Sequence, residues 1–167
     1  YMLLNFYIGN RDWDGNNWRA AGNGPGGEPF RFFPWDSEFA LSPNNAGAIN
    51  SPASLSNALN TDVTNKNGSQ RPSGIHQNLK RNAWYRLKFA DRIRRHMYNG
   101  GPLSPTGAKA IWLRRSEEMD LPIIAESARW GDYRRDVDSG RWNSSQFDLY
   151  TRDEHYLKDQ KWILNTY

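Results

Sequence analysis

Residues 1–9 are almost continuously apolar, interrupted only by Asn5, and the pattern predicts a short buried helix ending near Gly9 or Asn10. The next stretch, Arg11-Asp12-Trp13-Asp14-Gly15-Asn16-Asn17, is rich in turn formers. Two short strand candidates follow, Trp18-Arg19-Ala20-Ala21 and Pro29-Phe30-Arg31-Phe32-Phe33-Pro34. Gly22-Asn23-Gly24-Pro25-Gly26-Gly27 lies between them and reads as a hairpin tip. Residues 42–74 show no hydrophobic periodicity and read as a long loop. From Ile75 the helical period dominates. Ile75, Leu79, Trp84, Leu87, Phe89, Ile93 and Met97 fit one or two amphipathic helices that stop at Asn99-Gly100-Gly101. Ser104-Pro105 opens another helix, with Ser as N-cap and Pro in the first turn; Pro122 is expected to kink or break it before Ala128. Thr151-Arg152-Asp153-Glu154 reads as a capping box for a last helix bearing Tyr156, Leu157, Ile163 and Leu164. The pattern therefore predicts an α+β chain, mostly helical, with one small β-hairpin. It is read as a single domain, 1–167, made of a hairpin region 1–41, a loop 42–74 and a helical region 75–167.

Composition narrows the chemistry. With 167 residues, 37% of them hydrophobic, the chain is the size of one ordinary domain and is not wholly disordered. Mean hydropathy is −0.90, and no apolar run is long enough to span a bilayer. There is no cysteine, which excludes disulfides, thiolate nucleophiles and Cys-ligated metals without fixing the compartment. Eight Trp, eight Tyr and seven Phe make any core or binding face aromatic. The opening Tyr1-Met2-Leu3-Leu4 has no basic region or cleavage site of a signal peptide, and reads as the start of a fragment.

Charge is uneven. Residues 1–70 carry four basic and six acidic side chains, whereas the rest of the chain carries 18 and 12. Lys80-Arg81, Arg86-Leu87-Lys88, Arg92, Arg94-Arg95 and Arg114-Arg115 are interleaved with acids and accompanied by no nucleic-acid-binding motif. They read as solvated helix faces, one of which could dock an acidic substrate. His76, His96 and His155 have no metal-binding spacing. The sequons at Asn67 and Asn143 matter only in a eukaryotic source.

Two acidic motifs flank the hairpin: Asp12-Trp13-Asp14-Gly15-Asn16-Asn17 and Phe32-Phe33-Pro34-Trp35-Asp36. Asp12 and Asn17 are five apart, the Asp-to-Asn spacing of a kinase catalytic loop. Such a loop needs an Asp to accept a hydroxyl proton and an Asn amide oxygen to help hold a divalent ion. It also needs a second Asp delivered by the end of a nearby strand, and Asp36 stands there. Because a hairpin folds back on itself, Asp12, Asn17 and Asp36 are expected to converge. The glycine-rich tip lacks the Lys-Ser/Thr and helix of a phosphate loop.

Asn5-Phe6-Tyr7-Ile8-Gly9-Asn10-Arg11-Asp12-Trp13, Asn16-Asn17-Trp18 and Phe32-Phe33-Pro34-Trp35-Asp36 resemble the active-site region of the CotH kinase family, atypical protein kinases related to spore coat protein H. Phe89-Ala90-Asp91-Arg92 and the run from Leu121 to Asp132 are similar to the C-terminal part of bacterial members. The resemblance covers most of 1–135 apart from the loop. It implies the C-terminal lobe of a protein-kinase-like fold, with the hairpin carrying the active-site motifs. It further implies ATP with Mg2+ or Mn2+ as cofactors, a serine-containing protein substrate, and a bacterial envelope or secreted location. On the matching positions Asp12 is the catalytic aspartate, and Asn17 and Asp36 hold the metal and nucleotide.

Asn16 competes with Asn17 for its role, and Asp14 stands where the family commonly has proline; it reads as a turn residue, with a second ligand as the alternative. Only eleven residues precede Asp12, leaving no room for a glycine-rich cover or a strand lysine. The N-terminal lobe is thus expected to be absent, and this chain alone to show little or no kinase activity. Two other classes remain open. Asp12, Asp14 and Asp36 with Trp13, Trp18 and Trp35 could form a carbohydrate-active site. The chain could also be a non-catalytic interaction module.

Overall fold

The computed structural model describes residues 1–37, 40–41, 62–137 and 149–166. They form two compact units, Tyr1–Asn99 and Gly100–Tyr167. The division falls inside the stretch expected to be one helical region. Most of the loop expected over 42–74, residues 42–61, lies outside the described residues.

The first unit begins with helix α1, Met2–Tyr7, which ends where Gly9 adopts φ +57°. Strands β1, Trp18–Ala21, and β2, Arg31–Pro34, pair antiparallel, with Trp18 opposite Pro34 and Ala21 opposite Arg31. Gly24 and Gly26 both take φ +79° at the tip, a conformation that costs a residue with a Cβ roughly 1 kcal/mol. Pro34 is tolerated because, among the described residues, β2 pairs on one edge only.

Helix α2, Pro72–Leu79, starts three residues earlier than the periodicity suggested. Pro72 occupies the first turn, where its missing N–H costs nothing. Helix α3, Ala83–Met97, is separated from α2 by a break at which the Asn82 side chain accepts from the Tyr85 N–H. It ends before Asn99 and Gly100, both at positive φ, as expected.

The centre of this unit is aromatic. Trp13 is fully buried between the edges of Tyr1 and Phe6, each with its ring centroid 5.9 Å away. Phe6 continues the stack to His76 at 5.4 Å and Phe89 at 6.4 Å, and Tyr85 lies on Phe89. Each such pair adds roughly 0.5–1.5 kcal/mol beyond burial. The cluster therefore joins α1, the turn carrying Trp13, α2 and α3.

In the second unit, helix α4 spans Pro105–Trp130, capped by Ser104 Oγ accepting from the Gly107 N–H at 3.1 Å. Of the kink or break expected at Pro122, the break does not occur: the helix continues to Trp130, since one missing N–H is a single lost bond in a helix of 26 residues. A π-helical turn at Tyr133–Val137 follows, and another at Arg152–Tyr156 leads into α5, Leu157–Thr166. The capping box at Thr151 forms only in part. Thr151 Oγ1 accepts from the Glu154 N–H at 3.2 Å, but the Thr151 N–H donates to His155 Nδ1 at 3.1 Å rather than to Glu154. Gln160 on α5 accepts from the Trp112 indole and the Ser116 hydroxyl, and Arg152 pairs with Asp120 at 2.6 Å.

Candidate functional site

The turn after α1 is organised by buried side-chain amides. Asn5 and Asn10 are both 0% exposed. Asn10 Nδ2 donates to Asn5 Oδ1 at 3.0 Å and to Ser37 Oγ at 3.4 Å, so one amide links α1 to the segment beyond β2. Asn10 Oδ1 accepts from the Asp12 N–H at 3.1 Å, an Asx turn that fixes the backbone of Asp12. The Tyr1 phenol donates to the Trp13 carbonyl at 3.0 Å; burial first, and Asp14 second, push its pKa up to about 12, so it stays a donor.

Asn17 is 6% exposed, while Asn16 is exposed, which separates the two amides that the sequence left in competition. Asn17 Nδ2 donates to Asp12 Oδ2 at 2.7 Å and lies 3.4 Å from the main-chain oxygen of Asp36. Both partners are acceptors, so the NH2 group faces them and the Asn17 amide oxygen points elsewhere, with no donor upon it among the described residues. The Trp35 N–H donates to the Asn17 carbonyl at 3.0 Å, tying the end of β2 to the start of β1. The hairpin thus brings the Asp12 and Asn17 side chains together beside the Asp36 main chain, and does not join the three side chains expected to converge. The meeting involves two side chains and one main-chain carbonyl; Asp36 is exposed, and its carboxylate accepts no bond from a described residue.

Asp36 has φ +50°, a left-handed conformation that an L-residue enters at a cost of roughly 1 kcal/mol. Strain of this kind collects at functional positions where the surroundings impose it. Here the imposed bonds are those of Asn17 with Trp35 and Asp36.

Asp14 is neither a plain turn residue nor free to act as a ligand. It is 3% exposed; Oδ1 accepts from the Ser73 N–H at 2.9 Å and Oδ2 from the Ser73 hydroxyl at 2.7 Å. Ser73 Oγ in turn accepts from the Gly68 N–H at 2.7 Å. A carboxylate from the first motif therefore caps α2 from 59 residues away. The approach is so close that a Cβ on Gly68 would come within 2.9 Å of Asp14 Oδ2. Lys66 reaches the same turn, its Nζ donating to the Arg11 carbonyl at 2.6 Å. Sequence reasoning missed both contacts. The one available signal was a helix opening Pro72-Ser73 without a local side-chain cap, which needs an acceptor from elsewhere.

The aromatic residues divide by exposure. Trp13 is buried and cannot stack on a ligand, Trp18 is half-buried against Phe32 at 5.8 Å, and Trp35 is 62% exposed beside Asp36. A platform of three tryptophans is therefore not formed, and Asp14 is committed to Ser73 rather than available as an acid or base. Among the described residues no three His, Cys, Asp or Glu side chains converge. His76 is 5% exposed and bonds Tyr85 through Nδ1 at 2.7 Å, a packing role. No protein-family model, no curated protein and no solved structure matches this chain.

Proposed function

We propose that the chain carries the metal-holding and hydroxyl-orienting face of an ATP- and divalent-metal-dependent serine kinase of the CotH type. The observation that carries this reading is the Asn17 amide held between Asp12 Oδ2 and the Asp36 carbonyl. It supports the pairing of Asp12 with Asn17 over Asn16, with the Asp36 main chain beside the same amide.

The donor set suits a hard cation. The Asn17 amide oxygen and the Asp36 carboxylate accept nothing from the described residues, and Mg2+ and Mn2+ prefer such neutral and anionic oxygens. A bound ion would supply charge neutralisation at the ATP phosphates. Asp12 would accept the substrate hydroxyl's proton; its other task, holding Asn17 in place, is visible in the 2.7 Å bond. The backbone of Asp12 is fixed by Asn10, and that of the following turn by Asp14, so the geometry is set before any ligand arrives. On this reading the strand lysine and glycine-rich cover of a kinase lie outside the chain, and the chain alone is expected to turn over little ATP.

The test is thermal unfolding with and without manganese. A ligand that binds only the folded chain at a hundred times its Kd stabilises by about 2.7 kcal/mol. Manganese is expected to raise the Tm of the wild type and to leave Asp36→Ala unchanged. Equal shifts in both would remove the site.

A further inference from the structure

Beside the last turn of α4, the second unit holds a cleft of about 270 Å³. That is slightly below the usual range of about 300–1,000 Å³ for ligand pockets, so it suits only a small ligand. The backbone builds it closely. The Gly131 N–H donates to the Ser127 carbonyl and the Tyr150 N–H to the Gly131 carbonyl, each at 2.9 Å. A Cβ on Gly131 would collide with the carbonyl oxygens of Ser127 and Tyr150, so only glycine lets the two segments meet.

The walls combine the rings of Trp130, Tyr150 and Tyr156 with the carboxylates of Glu126 and Asp159. Neither carboxylate makes a hydrogen bond or an ion pair among the described residues; the nearby Arg152 is spent on Asp120 and Asp153. His155 Nδ1 accepts the Thr151 N–H at 3.1 Å. Burial raises the Asp159 pKa, while His155 and Lys158 oppose that rise without pairing with it. The cleft thus joins aromatic walls to two carboxylates without a direct partner among the described residues, in a chain of net charge +4. Trp130 already shows what its ring attracts, since the Arg129 guanidinium lies 5.0 Å from its centroid.

We propose that this cleft binds a small organic ammonium ion, its cation against the aromatic rings and its charge met by Asp159 and Glu126. Aromatic walls select an alkylated ammonium over a bare metal ion, which would need more oxygen donors than two carboxylates supply. The site is separate from the phosphotransfer reading, because Asp12, Asn17 and Asp36 take no part in it.

The experiment is an NMR titration of the full chain with tetramethylammonium, followed at the Trp130 indole and the Gly131 amide. Sodium and the neutral isostere neopentane-type alcohol serve as comparators. Saturable shifts with tetramethylammonium alone are expected. Asp159→Asn should weaken binding by about tenfold, the loss of one charge-assisted contact, with Tm unchanged and Glu117→Gln, outside the cleft, without effect. Should Asp159→Asn fail to fold, the exposed Glu126→Gln makes the same comparison and should also weaken binding. No saturation, an equal response to the neutral alcohol, or undiminished affinity in the folded charge variant would overturn the proposal.

Discussion

The clamp between Asp14 and Ser73 determines whether the acidic turn is fixed in place, and Ser73→Ala removes it with little change in volume. Two bonds go at once. One is a hydroxyl bond to a buried carboxylate at 2.7 Å, a class that contributes about 1.5–3 kcal/mol. The other is the Gly68 N–H to Ser73 Oγ at 2.7 Å, a neutral bond of about 1 kcal/mol. Asp14 keeps the Ser73 N–H, so the carboxylate is left half satisfied rather than bare. The expected loss is about 3 kcal/mol, read by circular dichroism as a fall in the urea midpoint of roughly 1–3 M. Ser69→Ala, at an exposed neighbour, should change stability by less than about 0.5 kcal/mol. In a double-mutant cycle with Asp14→Asn the coupling should be about 1–3 kcal/mol. If Ser73→Ala behaves like Ser69→Ala, or the cycle shows no coupling, the clamp is not formed and the turn carrying Asp12 is not held by α2.

Other consequences follow from the same geometry. At Asp36, with φ +50°, glycine relieves strain that alanine retains, so Asp36→Gly should be about 1 kcal/mol more stable than Asp36→Ala in urea; equal stabilities would show the backbone is not left-handed there. Asn17→Asp sets two carboxylates where a 2.7 Å bond stood, so the metal-free chain should lose about 1–3 kcal/mol and regain part of it with manganese; an undiminished melting temperature without metal would contradict the contact. Burial, aided by Lys80, lowers the pKa of His76 below its ordinary 6.5. The unfolded chain then binds the proton more readily, so this contribution to stability is complete above about pH 6.5 and is lost as pH falls through the folded-state value, by at most about 1.4 kcal/mol per pH unit. His76→Phe should flatten that slope below about pH 6.5, and an unchanged slope would show that His76 is not buried as described.

Elements ruled by neighbours in sequence were legible. Ser104-Pro105, Asn99-Gly100 and the glycine-rich tip each act within a turn, and each stands where the pattern put it. The pairing of Asp12 with Asn17 was legible for the same reason, since one short turn spans both. What was not legible depends on distant partners. The start of α2 is set by a carboxylate 59 residues upstream, and Lys66 finds its acceptor 55 residues away. The alternative of a carbohydrate-active site counted Trp13 as a stacking ring, but it is a core residue by burial, because Tyr1 and Phe6 close over it. Glu154 looked like the partner of Thr151, but His155 comes within reach first on the wider π-helical turn.

The central claim is that Asp12, Asn17 and Asp36 create a place for a divalent ion, and an electron paramagnetic resonance titration with Mn2+ tests it without requiring turnover. The wild type should take up one ion saturably, with affinity reduced about tenfold or more in Asp36→Ala and in Asn17→Leu while Asn16→Leu binds as the wild type does. Identical uptake by the wild type, Asp36→Ala and Asn17→Leu would contradict it.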